Sequence, residues 1–169
     1  MIKVGIIGPE STGKTFLAKS LAAEYEVPWV PEYAREYLSA LERPYEQSDL
    51  IDIAIGQLSS EAEMAKKANG LLILDTDLFV IKVWSEYKYG EVNPWILGQL
   101  HLHQCDTYLI TFYDIPYEED PLRENPDERP QLFDIYEKVI RESNLSYKVV
   151  QGTHEQRMAT ATNHINSLL

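Results

Sequence analysis

Gly8-Pro9-Glu10-Ser11-Thr12-Gly13-Lys14-Thr15 decides the fold. The octapeptide fits the phosphate-loop pattern Gly-x-x-x-x-Gly-Lys-Ser/Thr. At ordinary residue frequencies roughly one window in tens of thousands matches by chance, so far fewer than one accidental match is expected in a chain of this size. Each position has a physical task. Gly8 and Gly13 permit the backbone angles that turn amide N–H groups onto phosphate oxygens, with Glu10, Ser11 and Thr12 supplying the turns between them. A helix beginning near Lys14 aims the positive end of its dipole at the same oxygens. Lys14 adds a mobile cation for the β- and γ-phosphates, and Thr15 offers a hydroxyl to Mg²⁺.

The flanks agree with the loop. Residues 2–7 form a β-branched apolar run that reads as a buried strand. Leu17, Leu21 and Tyr25, with Ala18 and Ala22 beside them, recur at helical spacing. Further strands are expected over 27–30, 71–74, 108–112 and 147–151; the first of these is short and interrupted by Pro28, which lacks an N–H and places it at a sheet edge or a strand start. Between them lie helical patterns. One is marked by Ile51, Ile55, Leu58, Ala62 and Ala65, and ends near Asn69-Gly70. Another carries Phe79, Val83 and Trp84, a third runs over 94–103, and a fourth is marked by Leu132, Ile135, Tyr136, Val139 and Ile140. The last follows the capping-box pair Thr153 and Gln156. Alternating strands and helices predict an α/β fold: a five-stranded parallel sheet wrapped by helices, of the P-loop NTPase and nucleotide-kinase-like type. One domain over residues 1–169 is expected, with an irregular segment at about 114–130.

Composition bounds the partners. Hydrophobic residues are 44% and charged residues 25%, as in ordinary globular chains. Fifteen Lys and Arg face 27 Asp and Glu, a net charge of -12. Such a surface disfavours nucleic acid and anionic membranes, whose binding rests on clustered cations. A phosphate ligand must therefore be held by a local cradle and a metal. The lone Cys105 cannot pair within the chain and is expected to be a buried thiol in a reducing compartment. The apolar start reaches Gly8 too soon for a signal peptide, and no stretch approaches the roughly 20 apolar residues of a membrane span. A cytoplasmic protein is expected. The four histidines show no metal-ligand spacing.

Carboxylates and arginines beyond the loop supply the remaining candidates. Asp75 ends an apolar strand, the expected place for an acid that holds Mg²⁺ directly or through water. Asp77, two residues on, fits either a second acid near the phosphates or a helix N-cap. Glu32 follows the second strand, where strand ends open onto a ligand crevice. A carboxylate there suits acceptance of a hydroxyl proton, and Arg35 suits a phosphate or a neighbouring acid. A surface helix start fits the same residues. Arg123 and Arg129 lie among the acids of segment 114–130, either as a lid over the phosphates or as a solvated loop with local pairs. Trp29, Tyr33, Tyr37, Trp84, Tyr87 and Tyr89 are rings available to stack on a flat ligand.

The loop, Pro31-Glu32-Tyr33-Ala34-Arg35-Glu36, Asp75-Thr76-Asp77 and the arginine-bearing segment together resemble the ribosylnicotinamide kinase domain of NadR-type proteins. The likeness runs over nearly the whole chain in element order. It implies ATP and Mg²⁺ at Gly8 to Thr15, with metal or hydroxyl contacts at Asp75 and Asp77. It implies a nucleoside, most readily nicotinamide riboside, near Glu32, Tyr33 and Arg35. It further implies lid arginines at Arg123 and Arg129, and adenine beside Gly152 and Thr153. Pro31 stands where that family has an aromatic residue, so Trp84 or Tyr87 is expected to supply the stacking ring. The family's DNA-binding and adenylyltransferase domains have no counterpart in these residues. Catalysis is expected from Lys14, with Asp77 or Glu32 as base and the two arginines on the transferring group. Rival readings are a P-loop ATPase with water as nucleophile, and a nucleotide-dependent regulatory or sensing module without turnover. Self-association is left open.

Overall fold

The computed structural model describes all 169 residues. Five strands form one sheet: β1 (Ile2–Ile7), β2 (Trp29–Val30), β3 (Leu71–Asp75), β4 (Thr107–Thr111) and β5 (Ser146–Val150). Every pairing is parallel and the order is β2-β3-β1-β4-β5. Seven helices accompany them: α1 (Lys14–Glu24), α2 (Tyr33–Ala40), α3 (Asp49–Ala65), α4 (Leu78–Tyr89), α5 (Pro94–Leu102), α6 (Arg129–Glu142) and α7 (His154–Asn166). The predicted fold class is the one observed. No helix is long and apolar enough to cross a membrane.

Alternation along β1 builds two cores. Val4 and Ile6 face α1 and α7, among Leu17, Leu21, Ala161 and Ile165. Ile7 faces the larger core, which α3 to α6 close with Ile53, Phe79, Ile96 and Phe133. Both faces of the sheet are covered, so β3 reads as a continuous apolar run rather than an alternating one. The chain builds β2 and β3 on one side of β1 and β4 and β5 on the other. Such a reversal leaves a crevice at the carboxyl end of the central strand, where the phosphate loop sits.

Two expectations change. The second strand contracts to Trp29–Val30, since it enters the sheet only after Pro28. The buried face of α3 is Leu50, Ile53, Ala54, Gln57 and Glu61, not the stripe through Ile55 and Ala62, which are exposed. Polar residues on the inward face hid that register. Gln57 accepts from the Tyr33 N–H at 2.8 Å, and Glu61 pairs with Lys3 at 3.0 Å. Thr153 and Gln156 form the expected capping box on α7, and Cys105 is buried.

Candidate active site

Residues 8–13 join β1 to α1 in a tight bend. Gly8 (φ 138°) and Gly13 (φ 81°) hold angles that L side chains rarely adopt. A Cβ on Gly8 would lie 2.8 Å from the Thr111 carbonyl oxygen, so the bend and β4 approach too closely for a side chain. Thr12 fixes the middle of the loop, its hydroxyl 2.7 Å from the Pro9 carbonyl oxygen and 2.6 Å from the Thr111 hydroxyl. The first intrahelical bond of α1 runs from Leu17 N–H to Gly13 at 3.0 Å. The amides of Lys14, Thr15 and Phe16 precede it and stand free for an anion. The Lys14 ammonium folds back over the bend and donates to the carbonyls of Gly8 (3.0 Å) and Pro9 (2.7 Å). Burial lowers its pKa, against which Glu32, then Asp75, then Glu10 raise it.

Thr15 donates its hydroxyl to Asp75 Oδ2 at 2.6 Å. Asp75 is 1% exposed, and its Oδ1 is a buried oxygen with no hydrogen-bond partner. Burial pushes this carboxyl up to about 6. An unpartnered carboxylate oxygen beside a hydroxyl fits a hard divalent cation such as Mg²⁺, which takes few protein ligands and completes its shell with water and phosphate.

A cavity of about 840 Å³ opens from this cradle. The loop residues 8–15 line one end, and Glu32, Arg35, Trp84 and Tyr87 line the other. Arg123 and Glu124 of the segment between β4 and α6 border the cavity as well. That segment is strapped to the phosphate loop. Glu10 accepts from the Glu124 N–H at 3.0 Å and from the Asn125 N–H. Ser11 Oγ accepts from the Glu118 N–H at 2.8 Å and from Arg123 at 3.3 Å. Arg35 reaches across to Asp120 at 2.8 Å.

Five sequence candidates stand elsewhere. Asp77 is 4% exposed and points into the core: it caps α4 through the Phe79 N–H at 2.9 Å and accepts from the Tyr108 hydroxyl at 2.7 Å. Thr76, in the left-handed region at φ 71°, turns the chain between the two acids, so Asp75 faces the cradle and Asp77 leaves it. Tyr33 packs its ring against Gly56 of α3, where no Cβ would fit. Arg129 donates to the carbonyls of Ser11 (3.2 Å) and Ile115 (2.9 Å) and lies over the Tyr117 ring, bracing the loop without lining the cavity. Gly152 and Thr153 do not line the cavity either. Gly152 donates to Asp114, and Thr153 caps α7.

Other residues had escaped notice. Arg157 is 5% exposed and donates to the carbonyls of Thr12 (2.8 Å), Phe112 (3.0 Å) and Gly152 (3.0 Å), and to Asp114. Its signal was an arginine in step with Ala161 and Ile165 on the buried face of α7. Tyr45 joins the Trp84 indole (2.9 Å) to Glu124 (2.6 Å), and Lys88 pairs with the same Glu124 at 2.9 Å. Nothing in the sequence marks Tyr45 among eleven tyrosines.

A central strand, a glycine-bounded bend and a buried acid at the neighbouring strand's end, bonded to the hydroxyl that follows the loop lysine, define a P-loop nucleotide-binding protein. A model described as AAA domain matches residues 3–157, and the chain belongs to that family. Among curated proteins, it is 25% identical over 150 residues to the trifunctional NAD biosynthesis/regulator protein NadR of Salmonella typhimurium, covering 85% of this chain and 37% of that protein. Among solved structures it superposes on NadR in complex with NR (TM-score 0.80, 22% identity, 98% of this chain and 51% of that one). It also superposes on NadR with NAD and AMP-PNP (TM-score 0.72, 22% identity, 97% and 49%). The chain therefore spans about half, or less, of the length of these relatives.

Proposed function

We propose that the protein is an ATP-dependent kinase that phosphorylates the 5′-hydroxyl of a nucleoside, with nicotinamide riboside as the acceptor. One observation carries the reading: a single cavity joins a phosphate cradle to a wall holding a carboxylate and aromatic rings. The NadR structures, described with NR and with AMP-PNP, support the same two ligands. In this reading the 169 residues form one kinase unit, with 114–130 as its lid.

The roles follow from charge. The amides of residues 14–16 and the Lys14 ammonium bind and orient the triphosphate. Thr15 and Asp75 would hold Mg²⁺, which supplies neutralising charge to the phosphates when bound. Asp77 is spent on its cap and on Tyr108, which leaves Glu32 as the carboxylate that takes the acceptor's proton. Arg123, within reach of Ser11 Oγ, lies close enough to the loop to offset charge growing on the transferring group. Trp84 or Tyr87 stacks on the base, and the segment strapped by Glu10, Ser11 and Arg35 keeps water from competing with the acceptor.

Coupled ADP release across a nucleoside panel tests the assignment. Nicotinamide riboside should stimulate release, and the stimulation should vanish in Lys14→Ala. Release that stays flat across the panel overturns the kinase reading in favour of water as nucleophile. Glu32→Gln should lower kcat about a hundredfold or more while leaving the KM for ATP near its starting value, as loss of a general base does. Unchanged kcat would remove Glu32 from the role.

A further inference from the structure

Tyr45 lies in the connection between α2 and α3 and does not line the cavity, yet every partner of its hydroxyl does. The oxygen accepts from the Trp84 Nε1–H at 2.9 Å and from the Lys88 ammonium, and its proton goes to Glu124 Oε2 at 2.6 Å. One proton and two acceptor positions are thereby all engaged, so the group is built to hold its neighbours rather than a ligand. Burial, then Glu124, pushes its pKa up to about 12, which keeps the proton in place at neutral pH. The ring stands edge-on to the Trp84 indole, centroids 5.0 Å apart.

The connection that delivers Tyr45 is pinned on both sides of it. Arg43 spans the two oxygens of Asp49 at 2.7 and 2.8 Å and donates to the Pro44 carbonyl at 2.9 Å. The Glu46 N–H donates to the same carboxylate at 2.6 Å. Asp49 is 2% exposed, and the Arg43 guanidinium holds its carboxyl well below the usual carboxylate range. Glu124 completes the link. Its carboxylate meets Tyr45 and Lys88 on the acceptor side, while its own N–H donates to Glu10 of the phosphate loop at 3.0 Å, one residue from Arg123. A hydrogen-bonded path therefore runs from the Trp84 indole through Tyr45 and Glu124 to the phosphate loop.

We infer that Tyr45 is a positioning residue whose hydroxyl sets the plane of the Trp84 ring for the acceptor and, through Glu124, fixes the Arg123-bearing segment over the phosphate loop. The acceptor half of this inference rests on the kinase reading; the hold on the segment does not. A wall and a roof ordered in advance spare the acceptor the cost of ordering them, and a roof that stays down keeps water from the phosphates.

Tyr45→Phe keeps the ring and removes only the hydroxyl. Hydrogen exchange read by mass spectrometry on the full chain needs no ligand. The amides of Glu124 and Asn125, which Glu10 accepts, should exchange about tenfold faster in the variant than any change seen in the core strand β1. In turnover with ATP and nicotinamide riboside, the nucleoside KM should rise about tenfold while the KM for ATP stays within about threefold, since the cradle amides and Lys14 do not lean on Tyr45. The share of ATP lost to water should rise with it. Glu124→Ala should raise the nucleoside KM in the same way, and the double variant should be no worse than the worse single one, because both act through one contact. Native exchange at residues 124 and 125, an unchanged nucleoside KM in a protein that phosphorylates it, or additive losses in the double variant overturns the inference. Faster exchange with no stimulation by any nucleoside would support the hold on the segment and fall instead on the acceptor assigned to the cavity.

Discussion

Asp75→Asn is expected to cut phosphoryl transfer by two to three orders of magnitude while making the nucleotide-free protein more stable at neutral pH. Both effects have one cause. Burial raises the Asp75 carboxyl from an ordinary 3.8 to about 6. A carboxyl raised on folding stabilises the native state fully below its unfolded pKa, and that contribution is lost as pH climbs through the folded value. Above pH 6 the native protein therefore carries a buried charge at a cost of about 3 kcal/mol. Asn removes the charge and can still accept from Thr15, but its amide N–H₂ takes the place of an oxygen that had no partner. An unmet buried donor costs about 1–3 kcal/mol, so the net gain is about 1 kcal/mol. In a chain of this length that is a rise in Tm of about 2–4 °C. Melting curves at pH 8 should show the gain, and it should shrink toward pH 4, where the native Asp75 is itself neutral. The native protein should also gain more from nucleotide with Mg²⁺ than from nucleotide with EDTA, a difference the variant should lose. A lower Tm at pH 8, or turnover kept within tenfold, would remove Asp75 from the metal role.

The cradle was legible because its chemistry is contiguous. Eight residues with fixed tasks lie between a strand and a helix, and nothing distant alters what their glycines permit. Asp75 was legible for a similar reason: an acid at the end of an all-apolar strand has little purpose except at the crevice. Asp77 was not. Spacing fixes how far apart two acids lie along the chain but not which way each points, and the left-handed Thr76 sends them in opposite directions. The register of α3 failed because Gln57 and Glu61 look like surface residues until their partners, Tyr33 and Lys3, are known. The straps of segment 114–130 are harder still. Glu10 meets Glu124 and Asn125, and Arg35 meets Asp120, across separations that no local pattern records.

These straps also answer the electrostatic puzzle of an acidic chain built to hold phosphate. Seven acids lie in residues 114–128, yet several are already engaged: Asp114 by Arg157, Asp120 by Arg35, and Glu124 by Tyr45 and Lys88. Neutralised in this way, they repel the triphosphate less than their number suggests, while Lys14 and Arg123 remain on the cavity wall.

Arg157→Met should cost about 3–5 kcal/mol of stability and abolish nucleotide binding before it abolishes the fold. The side chain is buried, and its fork ties together the three loops that meet behind the cradle: Thr12 of the phosphate loop, Phe112 and Asp114 after β4, and Gly152 after β5. Met keeps the volume and leaves three carbonyls and one carboxylate without the donor they share. The Thr12 carbonyl matters most, because its peptide sets the plane of the Gly13 N–H in the bend. Arg157→Lys should not rescue the variant, since an ammonium offers a point charge where a planar fork spans separate acceptors. At about 2–4 °C per kcal/mol, the loss lowers Tm by about 10 °C, which leaves both variants folded at low temperature for calorimetry if the parent melts in the ordinary range. Asp114→Asn guards against a variant too unstable to purify. Its amide oxygen can still accept from Arg157, but it loses the charge of a partly exposed partner and the acceptor that met the Gly152 N–H, and it should weaken nucleotide binding less than Arg157→Met, which leaves four acceptors without their donor. Native nucleotide affinity in a folded Arg157→Met protein would show that the bend holds its shape without the fork, and would return Arg157 to a role in stability alone.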